Sequence, residues 1–349
     1  MARTECNLKE FILSQALMSK VLIGLNTYND LPYLKESLPA VEVLRKKMGA
    51  TVVVLDTAWN EGVKKFIAKN YPEFDYFRHP DGNIGYGRSY NAILERAPGH
   101  DLYLVVTSDV LLHVPTVARF MKRMEEQKDL TMVAGKLYYW NVAKHELTKQ
   151  IDSFGIVGKK NHHFFDRGQG EEDTGQYDKN LAHFFGISGA VFLIRTAVIP
   201  KLQGKAHLLF DERFWMYKED IDLAYRLRWL GEDITIFPEV WAWHARTVAN
   251  RAGEKGQTLK GLAAADRLKK DYARLNSYKN HFLLLKNNFT FRYGFSVALS
   301  VLLYEMMKGI FVLFRSPRVF FAGLKTLLFV RVEGSSKRVS PKKLLSYFS

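Results

Sequence analysis

With 349 residues, 47% of them apolar and 25% charged, the chain can form one large α/β domain or two ordinary ones, and global disorder is excluded. The one cysteine, Cys6, excludes a disulfide framework and a Cys-based zinc site, and fits a reducing compartment. Lys+Arg number 51 against 36 Asp+Glu, a formal net charge of +15 that points to nucleic acid, an anionic membrane surface or a phosphorylated substrate. The opening stretch MARTECNLKEFILSQALMSK has no continuous apolar region and no small-residue cleavage site, so a signal peptide is not expected. Met18 is a candidate start just before the first strand.

From there strand-like and helix-like segments alternate. Val21–Leu25 is a short apolar run, followed at helical spacing by Leu34, Leu38, Val41, Leu44 and Met48. Thr51–Leu55 (TVVVL) is β-branched and continuous, as in a strand buried on both faces, and Leu102–Val106 is similar. Val117, Phe120, Met121 and Met124 form a helical stripe after it. From about residue 141 to 185 the pattern fades into polar sequence, which reads as a functional loop or lid. Ala190–Ile194 restores a strand, and Leu223, Ala224, Leu227 and Leu230 mark another helix. The rhythm predicts an α/β fold with a mostly parallel, Rossmann-like sheet flanked by helices. Ligands bind such sheets at the carboxyl ends of the strands.

Four polar clusters fall at those ends: Asn26-Thr27-Tyr28-Asn29, Asp56, Asn83-Ile84-Gly85-Tyr86-Gly87 with Asn91 beyond it, and Thr107-Ser108-Asp109. An Asp at a strand end is by itself more often a helix cap or turn former than a ligand. Their convergence on one edge favours a site. The glycine cluster has the wrong spacing and position for a dinucleotide fingerprint, which excludes a Rossmann dehydrogenase.

Three further segments, FGISGAVFLIRTAVI, FDERFWMYKEDIDLAYRLRWLG and VWAWHARTV, complete a recognisable order. The sequence resembles inverting GT-A glycosyltransferases of family 2, in particular their rhamnosyltransferase-like branch. The matching residues are, in order, Tyr28-Asn29, Asp56, Asn83/Gly85/Asn91, Asp109, Gly186/Gly189/Ala190/Arg195, Phe210 through Arg226, and His244. The resemblance covers roughly residues 20 to 250, and its acidic box around Asp220 is the most specific part. It departs from a strict DXD signature, since Thr107 stands where the first acid would be.

The resemblance implies transfer of a sugar from dTDP-rhamnose or a UDP-sugar to a hydroxyl of a glycan or lipid-linked glycan. Asp109 and His244 would hold Mn²⁺ or Mg²⁺ against the diphosphate. The alternative for His244 is a satisfied histidine beside Trp243. Asp220 would be the general base at a helix start, where the helix dipole favours its ionised form. The bland alternative makes Glu219, Asp220 and Asp222 N-terminal helix acids, and Asp222 with Arg226 has the spacing of an intrahelical pair. Thr27, Tyr28, Asn29 and Asp56 are expected at nucleobase and ribose, and Asn83, Gly85 and Asn91 at diphosphate or sugar, with an ordinary turn as their alternative. Trp215, Tyr217 and Glu219 are expected toward the acceptor, although both aromatics are equally compatible with the core of their loop. Arg88 is either a phosphate contact or a solvated helix residue. Two other readings stay open. One is a non-catalytic GT-A scaffold that binds glycan or nucleotide sugar. The other, a nucleotidyltransferase, lacks a Gly-rich basic first loop.

The charge is unevenly placed. Residues 1–250 hold 32 Lys+Arg and 31 Asp+Glu, whereas residues 251–349 hold 19 and 5, a net of +14. The expected organisation is an N-terminal extension over 1–19, a GT-A domain over 20–250 and a basic helical region over 251–349. In that region Leu262–Tyr278 reads as a helix. Gly294–Phe314 is apolar except for Glu305 and Lys308, Arg315-Ser316-Pro317-Arg318 breaks it, and Val319–Val330 is apolar again. Length alone permits a spanning helix. The internal charges and cationic flanks fit a helix lying in the interface, hence a peripheral enzyme at the cytoplasmic membrane face. A helical subdomain that packs on the catalytic module or forms a homo-oligomer is the alternative. No nucleic-acid module accompanies the charge.

Overall fold

The computed structural model describes residues 19–179, 181, 184–202, 208–246, 271–331 and 337–349. The N-terminal extension up to Met18, Cys6 within it, and the first part of the helix expected from Leu262 lie outside these residues.

The TVVVL and LYLVV runs form interior strands of the sheet on either side of the first strand, because β-branched chains with no polar face are stable in strands only when covered on both sides. β1 (Val21–Thr27), β2 (Thr51–Asp56), β3 (Asp75–Arg78) and β4 (Leu102–Thr107) are parallel in the order β3-β2-β1-β4. Helices α1 (Leu31–Met48), α2 (Glu61–Asn70) and α3 (Tyr86–Arg96) make the crossovers. The expected stripe Leu34, Leu38, Val41 and Leu44 is buried, and α1 ends at Gly49 with φ +60°, a left-handed C-cap. β5 (Val110–Leu112) and α4 (Val114–Glu126) follow, with Val117, Phe120, Met121 and Met124 buried.

The second half of the sheet is mixed. β6 (Leu130–Asn141), β10 (Val191–Arg195) and β11 (Asp233–His244) extend it as β4-β10-β6-β11-β5. β10 runs antiparallel to β4, pairing Val191 with Val106, so the chain enters β10 beside the carboxyl end of β4. The register of β11 on β6 shifts between Ile236 and Val240, around Pro238, whose missing N–H cannot join a ladder.

The stretch without periodicity is more ordered than expected. It contains β7 (Glu146–Ser153), paired with β6, and a small two-stranded sheet of β8 (Ile156–Gly158) and β9 (Phe164–Asp166). Two of these strands have only three residues, too short for an alternating pattern to emerge from sequence. α5 (Glu219–Leu230) is the helix marked by Leu223, Ala224, Leu227 and Leu230, all buried.

The basic region is helical: α6 (Asp271–Asn288), α7 (Phe295–Arg315), α8 (Pro317–Phe329) and the short α9 (Pro341–Leu345). Leu284, Val301, Leu344 and Phe348 belong to the same continuous core as the sheet. Phe348 lies 4.9 Å from Phe185, and the Trp229 indole N–H donates to Asn288 Oδ1 at 3.2 Å. Apolar burial of this kind ties the C-terminal helices to the sheet.

Candidate active site

A cleft of about 680 Å³ opens at the carboxyl ends of β1 and β4, where the strand order reverses direction. Its walls include Asn26, Tyr28, Asn83, Gly85, Asp109, Trp215, Tyr217, Glu219, Asp220 and His244. Nine of these are residues singled out from sequence as site candidates, drawn from segments more than 200 positions apart.

Each is positioned by an identifiable backbone feature. The antiparallel ladder of β11 on β5 pairs His244 with Val110, and Ala245 N–H donates to Asp109 O at 3.0 Å, so His244 is set beside Asp109. Its Nε2 is 3.3 Å from Asp109 Oδ2, and its Nδ1 is 2.8 Å from Asp152 Oδ2. Burial alone would lower the imidazole pKa, but the Asp109 and Asp152 charges raise it to about 9. Asp152, fully buried in β7, is itself held below the usual carboxylate range despite its burial, because Arg246 and His244 both face it. Arg246 bonds Asp152 and also reaches Asp166 Oδ2 of β9 at 2.8 Å.

Asp220 lies in the first turn of α5. Its Oδ2 accepts from Gly189 N–H at 3.1 Å, just before β10, and its Oδ1 accepts from Ile221 N–H at 2.8 Å. Burial raises its pKa above 3.8 and outweighs those two backbone bonds. A raised carboxylate is a stronger base. The entry to α5 is unusual: Tyr217 and Lys218 both have left-handed backbone, φ +73° and +71°. Such residues persist where the surroundings over-determine them. Here Asn280 of α6 donates to the carbonyls of Met216 and Tyr217 at 2.9 and 2.8 Å. The Trp215 carbonyl accepts from Tyr86 N–H at 2.9 Å. Gly85, at φ +86°, allows this contact, since a Cβ there would lie 2.3 Å from that same carbonyl oxygen.

Glu219 also faces the cleft but is only 7% exposed, and its Oε2 has no hydrogen-bond partner among the described residues. Burial, then the Asp220 charge, push its pKa well above 4.5. A carboxyl raised in the folded state contributes stability below its unfolded pKa and loses it as pH rises through the folded value. The gain in Tm from Glu219→Gln is therefore expected to widen by about 2 °C or more between pH 5 and pH 8. Paired thermal melts measure it, and a gap that does not change with pH contradicts the assignment.

Several sequence candidates lie elsewhere. Asp56 is fully buried and absent from the cleft wall. Its oxygens accept from Ala58 and Asn60 N–H, both at 2.9 Å, and from the Tyr76 hydroxyl at 2.7 Å, which organises the turn after β2. Asn29, with φ +60°, accepts from the Asn60 side chain at 3.0 Å. Asn91 exchanges two hydrogen bonds with the Phe210 backbone and so fixes the acidic segment in place. Thr27 is fully buried. Thr107 does line the cleft, and its Oγ1 donates to Ala190 O at 3.3 Å. Arg88 makes an exposed ion pair with Glu212 at 3.4 Å, and Asp222 pairs with Arg226 at 2.8 Å inside α5.

Asp30, Asp152, Asp166 and Arg246 were not found from sequence. Asp30 lines the cleft and accepts from Ser108 Oγ at 2.6 Å. The only available signal was an acidic residue just past a polar cluster, which does not distinguish it from a turn former.

Among the described residues no group of three or more His, Cys, Asp or Glu is arranged to hold a metal unaided. One carboxylate and one imidazole at 3.3 Å do fit two positions of a Mn²⁺ or Mg²⁺ shell whose remaining ligands come from phosphate oxygens. The Asp152 bond to Nδ1 suits this, because it leaves Nε2 aimed at Asp109.

No family model matches the chain, and no curated protein does. Among solved structures, GalNAc-T7 crystallised with UDP, GalNAc and Mn²⁺ is similar at 12% identity and a TM-score of 0.51, over 65% of this chain and 43% of that one. Residues 1–349 of S. aureus TarS align at 14% identity and a TM-score of 0.48, over 88% of this chain and 90% of that one. The chain thus spans less than half the length of the GalNAc-T7 structure, and the likeness is one of fold: a mostly parallel, helix-flanked sheet of the GT-A type.

Proposed function

We propose that this protein is an inverting glycosyltransferase that uses a nucleotide-sugar donor. The observation that carries the reading is the convergence of Asp220 and the Asp109–His244 pair on one cleft at the carboxyl ends of β1 and β4. GalNAc-T7, which shares the fold, binds UDP, GalNAc and Mn²⁺ in its crystal.

In this reading Asn26, Tyr28 and Thr57 hold the donor nucleotide, and Asn83 and Gly85 offer close approach to its diphosphate or sugar. Asp109 and His244 hold a divalent cation, which supplies Lewis-acid neutralisation of the diphosphate when bound. Trp215 and Tyr217 present ring faces to an acceptor sugar. Asp220 accepts the acceptor hydroxyl proton while that oxygen bonds to the anomeric carbon. The bond from carbon to the diphosphate oxygen breaks on the opposite face, and nucleoside diphosphate leaves. A single displacement of this kind inverts the configuration. Burial and the Asp220 charge push the Glu219 carboxyl well above its usual range, which disfavours a second carboxylate charge beside the reacting carbon. The donor is dTDP-rhamnose or a UDP-sugar, and the acceptor a glycan or lipid-linked glycan.

A thermal-shift screen of nucleoside diphosphates and nucleotide sugars, with and without Mn²⁺, tests the donor site. One nucleotide at hundredfold saturation is expected to raise Tm by about 5 °C, and more with Mn²⁺ than without. Release of nucleoside diphosphate tests the chemistry. No shift from any donor sinks the reading. A shift without release supports instead a binding domain without turnover, the alternative that Thr107, engaged with the Ala190 carbonyl, keeps in view.

A further inference from the structure

The two charges that interrupt the longest apolar run do not reach the surface where that run is exposed. On α7, Glu305 turns inward and meets His281 of α6 at 2.5 Å, with Lys308 3.8 Å from the same carboxylate. Val301, Gly309 and Val312 are buried on that side. The outward side is a stripe of Phe295, Leu302, Leu303, Met306, Ile310 and Phe314, from 50% to 85% exposed. At 1.5 Å per residue the stripe is about 28 Å long. α8 continues the apolar surface with exposed Phe321, Leu328 and Phe329. Contiguous apolar surface on this scale marks an interaction site.

The charge around it selects the occupant. From Phe291 to Ser349 the chain holds ten Lys or Arg and two acids, Glu305 and Glu333. Glu305 is the inward one. Arg292, Arg315, Arg318 and Arg331, at or next to the helix ends, are exposed. A second copy of this chain would bring the same positive rim against itself, whereas anionic headgroups complement it. α7 is long and apolar enough to cross a bilayer. It is nevertheless held along one side by α6 and α8, and the two charges within its span, Glu305 and Lys308, are in that packed side. A helix with one face fixed to a protein body and the other apolar lies in the interface plane.

We propose that α7 and α8 form a docking surface for an anionic lipid bilayer, with the apolar stripe inserted among acyl chains and the basic rim on the headgroups. α6, on which both helices rest, also contributes Tyr272 and Ser277 to the cleft wall, so the docked surface and the cleft share one helix. The docking does not depend on the reaction proposed above, and its test involves no substrate.

The test is sedimentation of the full chain with vesicles of phosphatidylcholine alone or mixed with phosphatidylglycerol. Binding is expected for the mixed vesicles and about tenfold or more weaker for phosphatidylcholine alone. Leu303→Glu with Ile310→Glu is expected to lower partitioning about tenfold or more, and Arg315→Glu with Arg318→Glu to remove the anionic preference. These positions are exposed, so unchanged melting curves confirm folding. Failure to bind mixed vesicles, equal binding to both compositions, or wild-type binding by the apolar variant overturns the proposal. So does a stable dimer in sedimentation velocity that only the apolar variant breaks, without vesicle binding.

Discussion

Asp220→Asn is expected to lower turnover about 10²-fold or more while leaving the nucleotide-induced thermal shift in place. The amide is nearly isosteric and its oxygen can still accept the Gly189 N–H bond, at the expense of the Ile221 N–H bond within the first turn of α5. What it loses is the ability to take a proton. The pH profile provides a second readout. Because burial raises Asp220 above 3.8, the acidic limb of kcat/KM in the wild type is expected above the ordinary aspartate range, with activity falling as pH drops through it. Near-normal turnover in Asp220→Asn removes the residue from the base role. Loss of the nucleotide shift along with turnover would point to a structural one.

Asp152→Ala is expected to have the largest effect on stability. The carboxylate is fully buried between two cations, His244 and Arg246, and removing one member of a buried ion pair costs about 3 kcal/mol or more. Their remaining partners, Asp109 and Asp166, limit the loss. Urea unfolding of the two proteins at neutral pH measures it, and a difference below about 1 kcal/mol contradicts the account. The milder Asp152→Asn keeps the volume and still releases the hold on Nδ1. In the metal-binding reading it is expected to weaken Mn²⁺ affinity about 10–100-fold, measured by titrating the nucleotide-induced shift with Mn²⁺.

These two residues differ in how they are found. Asp220 stands in an acidic box whose residue order is distinctive, and it lies in the first turn of a helix whose apolar spacing the sequence shows and which is buried almost throughout. Asp152 stands in the polar stretch between β6 and β10, and its partner His244 is 92 positions away. Nothing local indicates that this aspartate is fully buried, since burial there comes from the pairing of β7 with β6 and from Arg246 folding over it. Asp56 shows the converse. Its position after TVVVL suggests a ligand, yet the same position suits a side chain that accepts from the next turn, and that is the use the fold makes of it.

The α/β class, the apolar interior strands, the helix that carries Asp220, and the division between a neutral module and a basic C-terminal region are all legible in the sequence. These depend on apolar periodicity, composition and charge, which are properties of the chain read in order. Which polar residues share the cleft, that the basic helices join the core of the sheet and brace the loop before Asp220, and which way Glu305 and Lys308 face on α7 emerge only from the folded chain. Those outcomes depend on contacts between residues far apart in sequence. Where such contacts satisfy a charge, as His281 does for Glu305, the helix is free to present an uninterrupted apolar face to its surroundings.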